Sequence, residues 1–416
     1  MISFPYVAQI KQTFDPDRID DVREAVFREL ERVGVSQKVK PGQTVAITAG
    51  SRGIADIAEV TKALVDFIKT CGAAPFIFPS MGSHAGATAI GQASLLNSLG
   101  INESSMGCPI RSSMETVEID RTQDGLPVFI DRCAWEADSV MVVNRIKPHT
   151  KFKGPIESGL MKMMAIGMGK QKGAEQCHQA SIRLGMSRVI ETVGAKMMEK
   201  LPLLCGLGLV ENGYDQLAII RALKPDDFFE GEKELLVRAR HKMARIPFAE
   251  IDLLIVDEMG KNISGTGMDT NVTGVNRDIL GSFSAEPRTK RLFVRDLTPE
   301  TGGNALGIGL AHFTTTGLVE KIDREKTYIN CLAGISPEKG AIPMYFDTDR
   351  ECIEAAINCL GINSTDALRL VHIRNTLSLE KLVVSKAYAE EIEKNDSLTV
   401  ISDWYPLPID ATGNMT

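Results

Sequence analysis

No stretch of this 416-residue chain approaches the roughly 20 uninterrupted apolar residues of a membrane span. The opening Met1-Ile2-Ser3-Phe4-Pro5-Tyr6-Val7 also lacks a basic region followed by an apolar core, so no secretory leader is expected and the cytoplasm is the expected location. A Lys/Arg-dense stripe is missing too, and with a formal net charge of −7 the chain has no footprint for nucleic acid. Eight cysteines (Cys71, Cys108, Cys133, Cys177, Cys205, Cys331, Cys352 and Cys359) form no C-x-x-C pair. Spread through apolar and helical surroundings, they are expected to be reduced thiols, most of them small buried hydrophobes. Aromatics are sparse at 6%, and neither a low-complexity region nor a short internal repeat interrupts the chain.

What is present is the profile of an ordinary globular enzyme, 44% hydrophobic and 24% charged. The length exceeds what one core organises, so two domains of roughly 150 to 250 residues are expected. Helical spacing of Val22, Ala25, Val26, Leu30 and Val33 is followed by K-P-G-Q and a short β-type run, Thr44 to Thr48. Ile57 to Thr70 is again helix-periodic, and Ala73 to Pro79 reads as a buried strand ending in S-M-G-S-H-A-G-A-T. Ser139 to Asn144 is a third apolar run that enters a special loop, R-I-K-P-H-T-K-F-K-G. A charged helix then gives way near Ala244 to Glu250, and I-D-L-L-I-V-D opens a second series. There Leu292 to Arg295 and Tyr328 to Leu332 fill the strand places, while Asn304 to His312 and Asp349 to Leu360 fill the helix places.

This alternation predicts two α/β domains with mostly parallel sheets, about 1–245 and 250–395, the Pro-interrupted tail 399–416 packing back on the first. Ligands in such folds collect outside the carboxyl ends of the strands, and the active site is expected in an interdomain cleft.

Histidine is scarce, six in the chain, yet His84 and His149 each stand just past a predicted buried strand. Two imidazoles brought to one crevice from neighbouring strand ends suit opposite faces of a substrate carbon, exchanging acid and base roles, and such symmetry fits racemisation. Lys162 lies inside the apolar M-K-M-M-A-I, where a buried amine is costly unless neutral, paired or covalently derivatised. The following G-M-G-K-Q-K-G-A-E reads as a flexible cationic turn opening a helix, suited to a phosphate through backbone amides.

In lactate racemases one histidine occupies a G-[ST]-H loop, matched by Gly82-Ser83-His84, and a second follows a proline, matched by Pro148-His149. Their cofactor lysine ends an S-G-x-x-K stretch, here Ser158 to Lys162, and a third histidine follows 16 residues later, as 178 − 162 = 16 gives here. In order, spacing and residue type the chain resembles the lactate racemase family. The resemblance implies a nickel-pincer nucleotide (pyridinium-3-thioamide-5-thiocarboxylic acid mononucleotide with Ni) tethered to Lys162, with His178 as nickel ligand, a coherent choice for a metal that favours soft and imidazole ligands. It implies His84 and His149 as the paired bases of a 2-hydroxy acid racemase or epimerase. Arg52 in T-A-G-S-R-G matches the arginine that holds the substrate carboxylate, although Gly53 replaces the usual proline.

The second domain contributes D-E-M-G-K-N-I-S-G-T-G-M-D-T-N-V-T-G, which departs from the family's Q-x-x-K pattern. Lys261 takes the charged substrate contact in this reading, with Asn262, Thr266 and Asp269 as hydroxyl partners. The rewritten loop and the insertion between His149 and Ser158 point from lactate toward a longer, aldonate-type acid. Expected partners are the small 2-hydroxy acid, the proteins that build the cofactor and, left open, a homo-oligomer; no nucleic acid and no membrane is expected. A nicotinamide-dependent oxidoreductase is the alternative enzyme, but A-G-S-R-G-I-A stands where G-x-G-x-x-G belongs. A cofactor-binding protein without turnover is the non-enzymatic alternative, which the histidine pair disfavours. A zinc hydrolase lacks its His-x-x-x-His or carboxylate triad.

Overall fold

The computed structural model describes residues 4–51, 53–278, 286–362 and 364–416. The chain divides into two compact units, one of Asp15–Met243 and one of Met1–Phe14 with Ala244–Thr416. Strand β1 (Tyr6–Gln12) therefore opens the chain but belongs to the second unit.

In the 15–243 unit, β2 (Thr44–Ala49), β3 (Ala74–Pro79), β4 (Thr116–Arg121), β5 (Pro127–Asp131), β6 (Ser139–Arg145), β7 (Leu203–Glu211) and β8 (Leu217–Leu223) follow in sequence. The main sheet has the order β3-β2-β6-β7-β8, parallel except for the β7–β8 pair, while β4 and β5 form a separate hairpin. Parallel strands are covered on both faces, which is why V-A-I-T-A and V-M-V-V read as continuous apolar runs. The helix Val22–Arg32 starts where the Asp21 carboxylate accepts the Glu24 amide, and it buries Val22, Ala25, Val26 and Leu30. The helix Ile57–Thr70 buries Val60, Leu64, Phe67 and Ile68 at three- and four-residue spacing. Ile47 and Leu207 of the sheet join both helices in one core.

The second unit contains β9 (Glu250–Met259), β10 (Arg288–Leu297), β11 (Phe313–Thr315), β12 (Met344–Phe346), β13 (Leu370–Ile373), β14 (Lys381–Ser385), β15 (Leu398–Val400) and β16 (Tyr405–Pro406). Their order is β12-β11-β10-β9-β13-β14-β1-β15, with β16 on β1; the run from β12 to β13 is parallel and the rest antiparallel. This corrects the expected grouping of both termini with the first domain. Val7, Ala8 and Ile10 are wholly buried, and β1 meets its backbone hydrogen-bonding needs on β14 and β15. Leu407 and Met415 of the tail share a core with Val7, Leu253, Phe293 and Ile353.

Two elements also differ from the pattern reading. Asn304 to His312 forms only the short 3-10 turn Ile308–Leu310, preceded by Gly307 at φ +106°, a conformation that resists helix continuation. Tyr328 to Leu332 lies in the helix Arg324–Ala333, whose start is fixed by the Asp323 side chain accepting the Lys326 amide. Among the described residues no helix is long and apolar enough to cross a membrane. Among the described residues no disulfide joins the eight cysteines, and burial pushes the thiols of Cys177, Cys205 and Cys352 up to about 12.

Candidate active site

Three neighbouring parallel strands, β3-β2-β6, end in the loops that the sequence marks for chemistry. After β2 comes Gly50-Ser51, after β3 Met81 to Ala87, and after β6 Ile146 to His149. Ser51 Oγ and His84 Nδ1 are 2.6 Å apart, so the first two loops meet at the His84 ring. Arg52 lies outside the described residues.

His149 is held from several directions. Its backbone amide donates to Glu157 Oε2 at 2.5 Å, its Nδ1 accepts the Lys151 amide at 3.0 Å, and its ring lies 4.4 Å from that of Phe152. With Nδ1 accepting, a neutral ring carries its proton on Nε2. The buried Glu157 also accepts from Arg240 at 2.6 Å, and mutual backbone hydrogen bonds between Lys147 and Ser158 close the neck of this loop. The insertion before Ser158 is thus a closed, ion-paired loop that presents His149.

Lys162 ends a one-turn helix, Leu160–Lys162, which continues into a π-helical segment, Met163–Met168. π-Segments are rare and concentrate at functional sites. At Gly169-Lys170 the chain reverses, Lys170 adopting φ +53°, and the helix Lys170–Leu184 runs back. Cys177 Sγ consequently reaches the Ala165 carbonyl at 3.4 Å, although a straight helix would hold residues 12 apart at roughly 18 Å. The reversal therefore sets Cys177, the residue before His178, against Ala165 of the π-segment that follows Lys162. The hairpin also packs on the β3 loop, where the Gly82 amide donates to the Gly167 carbonyl at 3.1 Å. Only glycine fits at 167, because a Cβ there would stand 2.6 Å from the Ser80 carbonyl oxygen.

Glu232 is a residue that pattern reading misses. It is fully buried and accepts the Met161 amide at 2.9 Å, capping the Lys162 turn, whose own N-cap, Gly159, has no side chain. A Cβ at Gly159 would lie 2.2 Å from Glu232 Oε1. Burial raises this carboxyl to about 7 against the lowering effect of the Met161 and Leu160 amides, and Oε1 is without a hydrogen-bond partner. Sequence offers no cue for it beyond a glutamate on the buried side of a helix.

Lys170, read from sequence as part of a phosphate-binding turn, is corrected. Its side chain is wholly buried, and Nζ lies 3.0 Å from Asp131 Oδ2, an ion-pair contact without hydrogen-bond alignment. Burial lowers the pKa of Lys170 and raises that of Asp131, each opposed by the attraction of the other. Lys172 lies over the Phe129 ring at 4.5 Å.

In the second unit, the Lys261 amine bonds Asn330 Oδ1, and Asn262 Oδ1 accepts from Thr298 Oγ1 at 2.7 Å. Thr266 and Asp269 are more than nine-tenths buried. Thr266 Oγ1 donates to the Met268 carbonyl at 2.7 Å, and Asp269 Oδ1 caps the turn Thr270–Thr273 through the Asn271 amide at 2.9 Å. These polar groups are bonded within the second unit, Lys261 and Asn262 tying the loop to Asn330 and Thr298. Among the described residues a cavity of about 650 Å³ stands instead at the carboxyl ends of β9 and β10, lined by Asp257, Glu258, Arg295, Asp296 and Arg374 among others. Its charges are mutually paired: Asp257 receives His372 Nε2 at 2.7 Å and Arg295 Nη1 at 2.6 Å, and Glu258 receives Arg374 Nε at 3.0 Å.

No protein-family model matches the chain, and no curated protein does. Its fold is similar to that of a solved structure, the lactate racemase apoprotein from Thermoanaerobacterium thermosaccharolyticum, at 12% identity and a TM-score of 0.53. The similarity covers 90% of this chain and 99% of that one.

Proposed function

We propose that this chain is an isomerase, a 2-hydroxy acid racemase or epimerase that carries a nickel-pincer nucleotide on Lys162 with His178 as a nickel ligand. The observation that carries the reading is the helical hairpin. It sets Cys177, next to His178, against Ala165 of the π-segment that follows Lys162, and it packs on the loop that bears His84. Lys162 and His178 are both partly exposed, and the intervening Cys177 is a buried thiol, so an amine and an imidazole are the groups offered to a tethered, soft-ligated metal. These residues fit the group.

When bound, that group supplies a hydride acceptor. His84, linked to Ser51, takes or returns the hydroxyl proton of one stereoisomer, and His149 does so for the other. Either imidazole can serve as acid or base because its ring nitrogens can hold or release a proton. The Nε2–H form of His149 set by the Lys151 amide suits the donating half of that exchange. Arg52, by its sequence position after β2, is the proposed holder of the substrate carboxylate. The polar groups of 257–274 are bonded within the second unit, Lys261 to Asn330, Asn262 to Thr298 and Thr266 to the Met268 carbonyl.

Protein produced alongside the cofactor-building enzymes is expected to show an added nucleotide mass on Lys162. Lys162→Ala is expected to abolish that mass, whereas His178→Ala keeps it and loses nickel by elemental analysis. Nickel content equal to the parent's in His178→Ala, or attachment at a residue other than Lys162, would overturn the assignment. A panel of 2-hydroxy acids followed for inversion at C2 then identifies the substrate.

A further inference from the structure

The buried polar residues beneath the site form one connected structure that the proposed chemistry leaves unused. Lys170 Nζ donates to the Pro79 carbonyl at 2.5 Å and to Gln92 Oε1 at 3.3 Å, besides facing Asp131. Gln92, wholly buried, turns its amide nitrogen to the Gly82 carbonyl at 2.9 Å and to the His84 carbonyl at 3.4 Å. Lys170 thus makes two hydrogen bonds, to Pro79 and Gln92, beside its ion-pair contact with Asp131, and through Gln92 both ends of the β3 loop, Pro79 and His84, are reached from one amine.

The loop needs such bracing because its backbone is strained. Ala85 and Ala87 have φ of +55° and +53° on either side of Gly86 at +70°, a left-handed run that residues with a Cβ adopt at a cost. Lys170 itself, at the hairpin reversal, is left-handed without being glycine. A position whose backbone favours glycine has kept a long cationic side chain, and that side chain is spent entirely on internal contacts. The one residue sits at the bend between the π-segment and the helix that carries His178, and it also anchors the His84 loop.

We propose that Lys170, acting through Gln92, is the positioning residue that fixes the His84 loop relative to the Lys162–His178 hairpin. The catalytic part of this proposal rests on the racemase reading; the bracing part does not. Gln92→Met is the informative variant, because it cuts the link to Gly82 and His84 while leaving the Lys170–Asp131 pair intact. Amide hydrogen exchange over residues 80–88 is expected to accelerate about 10-fold or more, as for a locally loosened segment, with no change in β2 or in the helix Met186–Lys200. Lys170→Met is expected to extend the acceleration to 163–178. In the cofactor-loaded protein, kcat of Gln92→Met should fall by about 10-fold to 10²-fold with KM nearly unchanged and the mass on Lys162 intact, as for a misplaced base.

Parent-like exchange over 80–88 in Gln92→Met would overturn the brace. Faster exchange with parent kcat would overturn the positioning role. Faster local exchange in a protein whose parent inverts no 2-hydroxy acid supports the brace while the racemase reading fails.

Discussion

At the scale of single residues, the proposed site separates groups assigned to the substrate from groups that hold them. Replacing His84 or His149 with Ala should lower interconversion by about 10² or more, the usual worth of a positioned acid-base group, while intact-mass analysis still finds the nucleotide on Lys162. Two-way turnover at the parent rate in both variants would make them ordinary loop residues. Glu232 gives a prediction of a different kind. Its folded-state value of about 7 exceeds the ordinary 4.5, so the folded protein binds the extra proton between those values. Its contribution is fully present below pH 4.5 and is lost as pH rises through 7, by about 3 kcal/mol. Urea midpoints should therefore fall from pH 5 to 8 in the parent, and Glu232→Gln should flatten that slope. His84, His149, Lys162 and His178 were nominated by local motifs. Ser51, Glu157, Gln92 and Glu232 were not, because each acts through partners that only folding brings near: Glu232 meets a turn 71 residues away.

At the scale of elements, helices and strands with strong periodicity or a good cap were readable, as for Ile57–Thr70 and β3. The π-segment was not, since M-M-A-I-G-M carries no period that distinguishes it from a buried α-turn. Its position is set by Gly167 against Ser80. Gly167→Ala should cost about 1–3 kcal/mol by overpacking, read as a lower urea midpoint, and should slow turnover together with stability. Asp21→Ala removes a helix cap elsewhere in the same unit. It should cost about 1 kcal/mol while leaving cofactor attachment at the parent level. Equal effects of the two variants on turnover would mean that the hairpin has no special place in the site.

At the scale of the whole molecule, the unit that carries the candidate site is continuous from Asp15 to Met243, and the other is assembled from both ends of the chain. Deleting residues 1–14 removes a strand flanked on both edges by β14 and β15, so the loss should fall on the second unit. Fragment 15–243 should unfold cooperatively on its own, and fragment 244–416 should regain a cooperative transition only when 1–14 is restored. A cooperative transition in 244–416 alone would show that β1 is dispensable.

The sequence by itself determined the α/β class, the strand-end placement of both histidines and the Lys162-to-His178 spacing, because hydrophobic period, turn residues and motifs are local properties of the chain. Tertiary structure alone decided that residues 1–14 and the tail belong with 244–416, since β-partners are chosen by register and burial across hundreds of positions. It also decided that Lys170 is a buried brace and that Glu232 caps the Lys162 turn. In each case a charge that reads as surface in the chain is enclosed by elements distant in sequence, and its meaning depends on the partner it finds there.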